Sequence, residues 1–258
     1  MKVQTDLTYG QDELQKYDTY QPDDDGNGNT IVVVHGGGWW QGDKHKEADL
    51  AAILVNNGYS VVVPNYRFAD GSTKTNLFPT QRDDVLDLIN QLNLDVNHLA
   101  IWGGSSGGNV AFETGLELNV PVVSWSGLLA LDTFMEENPD VKPVQVKIAA
   151  DVKSADIDQD GSNKSYYRWL VENLTANGEV SFSDASPYHR VNDNTKPLFM
   201  ANSMDELVPV QEVGIVQKEF INHHVRIDTL VLPGSRHAEG YLVDAINPSL
   251  TFLKDVLK

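Results

Sequence analysis

A serine set among glycines at the end of an apolar run is the first group in this sequence that reads as a nucleophile. Residues 102–109, WGGSSGGN, follow a strand-like apolar run at 99–102 and lead into a helix-like stretch. In a G-x-S-x-G turn the serine occupies a tight strand-to-helix bend, where flanking glycines remove the Cβ atoms that would clash. Gly103, Ser105 and Gly107 fit that frame, and a second frame, Gly104 to Gly108, would put Ser106 at the bend instead. The first frame places the bend straight after the strand and leaves Ser106 to open the helix, its N–H turned toward the reacting centre. Ser105 is therefore the preferred nucleophile.

The partners of such a serine can be sought in chain order. Residues 31–34 (IVVV) read as a buried strand running into His35, Gly36, Gly37 and Gly38. Consecutive glycines after a strand can turn backbone N–H groups toward a ligand without side chains in the way, as an oxyanion hole requires. Of seven histidines, His237 sits on a loop after a strand-like run at 225–232, the edge at which catalytic groups of open α/β sheets gather. His35 reads as a support for the glycine loop, His98 precedes a strand, and His223 and His224 end a helix. The orienting acid is expected between serine and histidine, on the loop that follows residues 196–201. Asp205 is the choice there, with Glu206 its local rival; Asp193 falls too early.

These motifs resemble the α/β-hydrolase carboxylesterases related to hormone-sensitive lipase, especially their small bacterial feruloyl or acetyl-xylan esterase-like branch. The likeness runs through LTYG (7–10), HGGGWWQGDK (35–44), PNYRFAD (64–70), FPTQRDDV (78–85), GGSSGGN, SPYHRV (186–191) and MDELVPV (204–210). It implies an α/β-hydrolase fold with Ser105 as nucleophile, Asp205 as acid, His237 as base, and backbone oxyanion donors at Gly37, Gly38 and Ser106. Three segments depart from the family pattern: GGSSGG at the elbow, NSMDE at the acid loop, and Ala238-Glu239 after the histidine, where glycine is common.

The elements needed to hold these groups are legible as an alternation. Two N-terminal strands are expected at 3–9 and 14–20. Strands then follow at 31–35, 60–64, 98–102 and 121–125, with helices near 46–57, 79–92 and 106–117. Beyond a strand at 196–201 come a helix near 209–222, a strand at 225–231 and a last helix from about 239. That alternation predicts a mostly parallel sheet covered on both faces. A chain of 258 residues, 41% hydrophobic, suffices for one such domain over 1–258. Residues 127–184 break the rhythm and read as a cap-like insertion over the site. Tyr166 and Trp169 within it, together with Trp39, are the candidate substrate-contacting aromatics. The acidic run from Asp156 to Gly161 opens like a calcium loop, but its twelfth position is Tyr167 where a bidentate Glu is needed, so a solvated turn is expected.

Composition narrows the partners. With no cysteine, thiolate catalysis, disulfides and cysteine metal sites are excluded. A net charge of −18 argues against nucleic acid. Residues 1–7 lack the apolar core of a signal peptide and no apolar run approaches the ~18 residues of a membrane span, so a soluble, cytoplasmic protein is expected. The expected activity is hydrolysis of short-acyl carboxylic esters through an acyl-enzyme, with a small-molecule ester as partner, a homodimer as an option, and no metal or cofactor. The alternatives are an arylformamidase or other acyl or amide hydrolase on the same scaffold, and a non-catalytic binding protein with a hydrolase fold.

Overall fold

Valine-rich runs in the sequence become strands because both faces of each are covered. In the computed structural model, which describes residues 1–149 and 151–257, β1 (Lys2–Thr8), β2 (Lys16–Gln21), β3 (Thr30–Val34) and β4 (Ser60–Pro64) precede β5 (Leu99–Gly104) and β6 (Val122–Trp125). The sheet is completed by β7 (Leu198–Ser203) and β8 (Ile227–Leu232), in the order β1-β2-β4-β3-β5-β6-β7-β8. Strands β4 to β8 and β3 run parallel; β2 is antiparallel to both β1 and β4.

The helices are α1 (Ala48–Asn56), α2 (Thr80–Gln91), α3 (Ser106–Leu118), α4 (Leu131–Glu137), α5 (Lys164–Thr175), α6 (Gln211–Asn222) and α7 (Leu242–Val256). Successive residues of β3 face opposite layers. Val32 and Val34 join a core with Val85 and Leu88 of α2, Val110 of α3 and Val216 of α6. Ile31 and Val33 join a second core with Leu50 and Leu54 of α1 and Leu250 and Leu253 of α7. This period-2 division of a continuous apolar run is what a parallel strand buried on both faces requires.

Strand order explains where the site lies. From β3 the chain crosses to β4 on one side and then returns to β5 on the other, so the loops leaving β3 and β5 diverge and open a crevice at their carboxyl ends. The loop after β3 carries His35 to Gly38 and the turn after β5 carries Ser105; the loops after β7 and β8 reach the same edge with Glu206 and His237. The insertion between β6 and β7 contributes α4 and α5, and Tyr166 and Leu170 of α5 lie against the crevice.

The N-terminal pair β1–β2 is tied to the segment that follows the glycine loop by a buried cation. Lys44 Nζ lies 2.7 Å from Asp6 Oδ1 and 3.1 Å from Asp18 Oδ1, with Lys44 and Asp18 both almost wholly buried. Its backbone N–H donates to Asn65 Oδ1 at 2.6 Å, and Asn65 Nδ2 donates to Asp43 Oδ2 at 2.9 Å. The segments HGGGWWQGDK and PNYRFAD are thus stitched together beneath the crevice. Asp6, Asp18 and His45 are the one metal-ligand-type cluster among the described residues, and the Lys44 ammonium already occupies it.

Candidate active site

Backbone strain marks Ser105. It sits between β5 and α3 with φ 55° and ψ −129°, a region L-residues avoid, so the bend falls at Ser105 and Ser106 opens the helix. The turn closes only because its neighbours lack side chains. A Cβ on Gly103 would lie 2.1 Å from the Gly107 carbonyl oxygen, and one on Gly107 would lie 2.1 Å from that of Val34. The Ser105 N–H donates to the Trp125 carbonyl at 2.8 Å, which fixes the bend to β6.

The glycine loop packs straight onto this turn. A Cβ on Gly36 would come within 3.2 Å of the Ser105 Cβ, while Gly37 (φ 121°) and Gly38 (φ 63°) take left-handed conformations. Among the described residues, the amides of Gly37, Gly38 and Ser106 donate to no protein acceptor, and Gly37 and Gly38 line the same cavity as Ser105. His35 anchors the loop from below. It is buried, stacks on Tyr66 at 4.4 Å, and bonds the Gly36 carbonyl through Nδ1 at 2.6 Å. Burial pushes its pKa down to about 4, so it holds the loop as a neutral ring.

His237 lines the same cavity as Ser105 from the loop after β8. Its Nδ1–H donates to Glu206 Oε2 at 2.5 Å, and Glu206 Oε1 accepts from the Ser203 N–H at 2.6 Å. Both side chains are buried. Here the structure corrects the expected acid: the partner is Glu206, and Asp205 is exposed with its carboxylate in no ion pair among the described residues. The reason is local. β7 runs on to Ser203, two residues past its expected end, so the tight turn that follows directs Glu206 inward, and its longer side chain spans the distance to the ring.

Burial pulls the His237 pKa down, but the hydrogen bond to Glu206 and the charges of Glu206, Asp158 and Glu239 outweigh it, leaving the imidazole above its ordinary value. Its Nε2 is buried without a hydrogen-bond partner, on a ring that lines the cavity with Ser105. The loop bearing it is braced on two sides. The Ala238 N–H donates to Ser126 Oγ at 2.8 Å, and Tyr241, in contact with Ser126, donates to the Ala201 carbonyl at 2.7 Å. On the other side Gln159 Oε1 accepts from the His237 N–H at 2.9 Å, and Gln159 Nε2 donates to the His237 carbonyl at 3.0 Å. The acidic run 156–161 is therefore more than a solvated turn: it carries Gln159 and puts Asp158 in the cavity wall. Residue type gave no sign of this, since a glutamine amide in an acidic loop has no sequence signature of its own.

The cavity has a volume of about 840 Å³, with walls from Phe68, Tyr166 and Leu170 and a rim that includes Lys46 and Lys147. Of the expected aromatics, Tyr166 lines it. Trp39 does not: it is fully buried in the core below, because the positive φ (63°) that continues the glycine loop turns it inward, and Trp40 takes the place at the wall. Trp169 packs on Trp40 with ring centres 4.9 Å apart and lines a neighbouring polar groove instead.

Comparison with known proteins agrees with this architecture. The family model described as BD-FAE matches residues 17–220. No curated protein sequence matches. Among solved structures, a truncated carbohydrate esterase from gut microbiota superposes with a TM-score of 0.74 at 16% identity, over 100% of this chain and 96% of that one. Esterase B from Lactobacillus rhamnosis gives 0.71 at 17% identity, covering 99% and 84%. An esterase of the bacterial hormone-sensitive lipase family gives 0.71 at 16% identity, covering 94% and 81%. At such identities the likeness carries the fold. Among the described residues no helix is long and apolar enough to cross a membrane.

Proposed function

Because this chain belongs to the BD-FAE family of α/β-hydrolase esterases, we propose that it hydrolyses short-acyl carboxylic esters through an acyl-enzyme on Ser105, with His237 as general base and Glu206 as the orienting acid. The observation that carries this reading is His237 itself, with Nδ1 committed to a buried carboxylate and Nε2 left without a partner in the cavity that Ser105 lines.

In the first step Nε2 takes the Ser105 proton as Oγ attacks the ester carbonyl. Glu206 keeps the proton on Nδ1, so Nε2 is the basic nitrogen, and it stabilises the imidazolium that forms. The amides of Gly37, Gly38 and Ser106 receive the oxyanion, at no reorganisation cost because their directions are fixed by the glycine loop and the helix start. The imidazolium then gives its proton to the leaving alcohol, and water, deprotonated by the same nitrogen, releases the acid. Tyr166 and Leu170 of α5 line the cavity and would contact the bound ester.

Hydrolysis of a ladder of nitrophenyl esters, acetate through octanoate, tests the proposal. The expected result is highest kcat/KM on the short members, abolished by Ser105→Ala and largely retained by Ser106→Ala, whose backbone amide is unchanged. Loss confined to Ser106→Ala would move the nucleophile, and a protein inert on every ester would overturn the reading.

A further inference from the structure

Two carboxyl groups beside the serine take no part in the mechanism above. Glu47 follows the glycine-loop segment and Glu239 lies two residues after the histidine, and both line the cavity. The Glu239 carboxylate sits over the elbow: a Cβ on Gly104, the residue before Ser105, would meet Glu239 Oε1 at 2.6 Å. Glu47 is only 2% exposed. Among the described residues neither side chain forms an ion pair; buried Glu47 has no hydrogen-bond donor and half-buried Glu239 accepts only from its own backbone N–H, although a buried carboxylate ordinarily has both kinds of partner.

Burial pushes both groups above the ordinary carboxylate range, and the nearby Glu239 charge pushes Glu47 further. Lys46 is the one protein cation that eases Glu47, and it forms no ion pair with it. Asp43, which also lines the cavity, is already committed to Asn65 and to the His45 amide. A missing counter-ion inside a substrate cavity is most simply supplied by the substrate.

We propose that Glu47 and Glu239 form a subsite for a primary ammonium group carried by the substrate, so that amino-substituted esters are the favoured class. The inference rests on the esterase reading and deepens it. An ammonium presents three N–H donors in a tetrahedral spread and can serve both carboxylates at once, restoring in the complex the charge balance that the empty site lacks. A neutral alkyl group in the same position would leave both acids unpaired.

Matched ester pairs test it. β-Alanine ethyl ester and ethyl butyrate differ by an ammonium in place of a methyl on the acyl side; trans-4-aminocyclohexyl and trans-4-methylcyclohexyl acetate differ likewise on the alcohol side. At pH 7.5 the wild type is expected to favour the cationic member of at least one pair by about tenfold or more in kcat/KM. That ratio, measured within each variant so that a general loss of rate cancels, is expected to collapse in Glu47→Gln and in Glu239→Gln. Competitive inhibition of ethyl butyrate hydrolysis by cyclohexylammonium but not by cyclohexanol gives a readout that needs no variant. Equal or better use of the neutral member in both pairs, a preference that survives both substitutions, or equal inhibition by the two cyclohexyl compounds would overturn the subsite. Hydrolysis of neither neutral ester would instead overturn the esterase reading beneath it.

Discussion

Gln159 brackets the backbone of His237, accepting from its N–H at 2.9 Å and donating to its carbonyl at 3.0 Å. The proposed general base is therefore held by the insertion between β6 and β7 as well as by its own loop. Gln159→Ala removes both bonds without touching the imidazole. It is expected to lower kcat about tenfold with a smaller change in KM, as a positioning residue should. Stopped-flow and steady-state kinetics on nitrophenyl acetate separate this from a binding defect, which would move KM first.

The acid on His237 can be told from its neighbour by pH. In the proposed mechanism His237 must be neutral to accept the serine proton, and its pKa lies above the ordinary imidazole value, so kcat/KM should rise with pH through a midpoint above about 6.5. Glu206→Gln removes a group that raises the pKa, so the midpoint should move to lower pH while the plateau falls by two or more orders of magnitude. Asp205→Asn should leave both within a factor of about two. A reversed pattern in kcat/KM profiles would return the role to Asp205.

Gly37 tests the proposed oxyanion loop. Its φ of 121° is strained for any L-residue, and an added Cβ would lie 2.0 Å from the Gln41 carbonyl oxygen. Gly37→Ala should displace the amide and cost about 100- to 1,000-fold in kcat, with KM for nitrophenyl acetate changed far less. A phosphonate that traps the tetrahedral geometry should label this variant slowly for the same reason.

Lys44 tests the brace beneath the crevice. Replacing it with Met leaves the fully buried Asp18 carboxylate without its cation, a change expected to cost about 3–5 kcal/mol of unfolding free energy. Urea unfolding followed by tryptophan fluorescence measures it. The double variant Lys44→Met, Asp18→Asn should recover part of the loss, because the stranded charge goes with its partner.

Much of this arrangement could be read from residue order. The run at 31–34, the elbow glycines and the late histidine each announce themselves, because a buried parallel strand needs an unbroken apolar run and a tight bend needs absent side chains. The two acids at 205 and 206 could not be ranked that way. Which of them points inward depends on where β7 stops, and a two-residue error in that boundary is enough to exchange them. Trp39 and Trp40 posed the same difficulty, since a positive φ at one position decides which indole enters the core and which the cavity wall. Gln159 and the Glu47–Glu239 pair depend on contacts between segments far apart in the chain, which no local pattern encodes.

Leu170 rests directly on the glycine loop, since a Cβ on Gly38 would come within 2.2 Å of its Cδ2. Helix α5 is thus a buttress for the proposed oxyanion donors as well as a wall of the cavity. A library that redraws α5 to admit larger esters would therefore alter turnover along with fit. Selections for new specificity on this scaffold should return variants that keep a side chain of leucine's size at 170 and confine their changes to Tyr166 and the cavity rim.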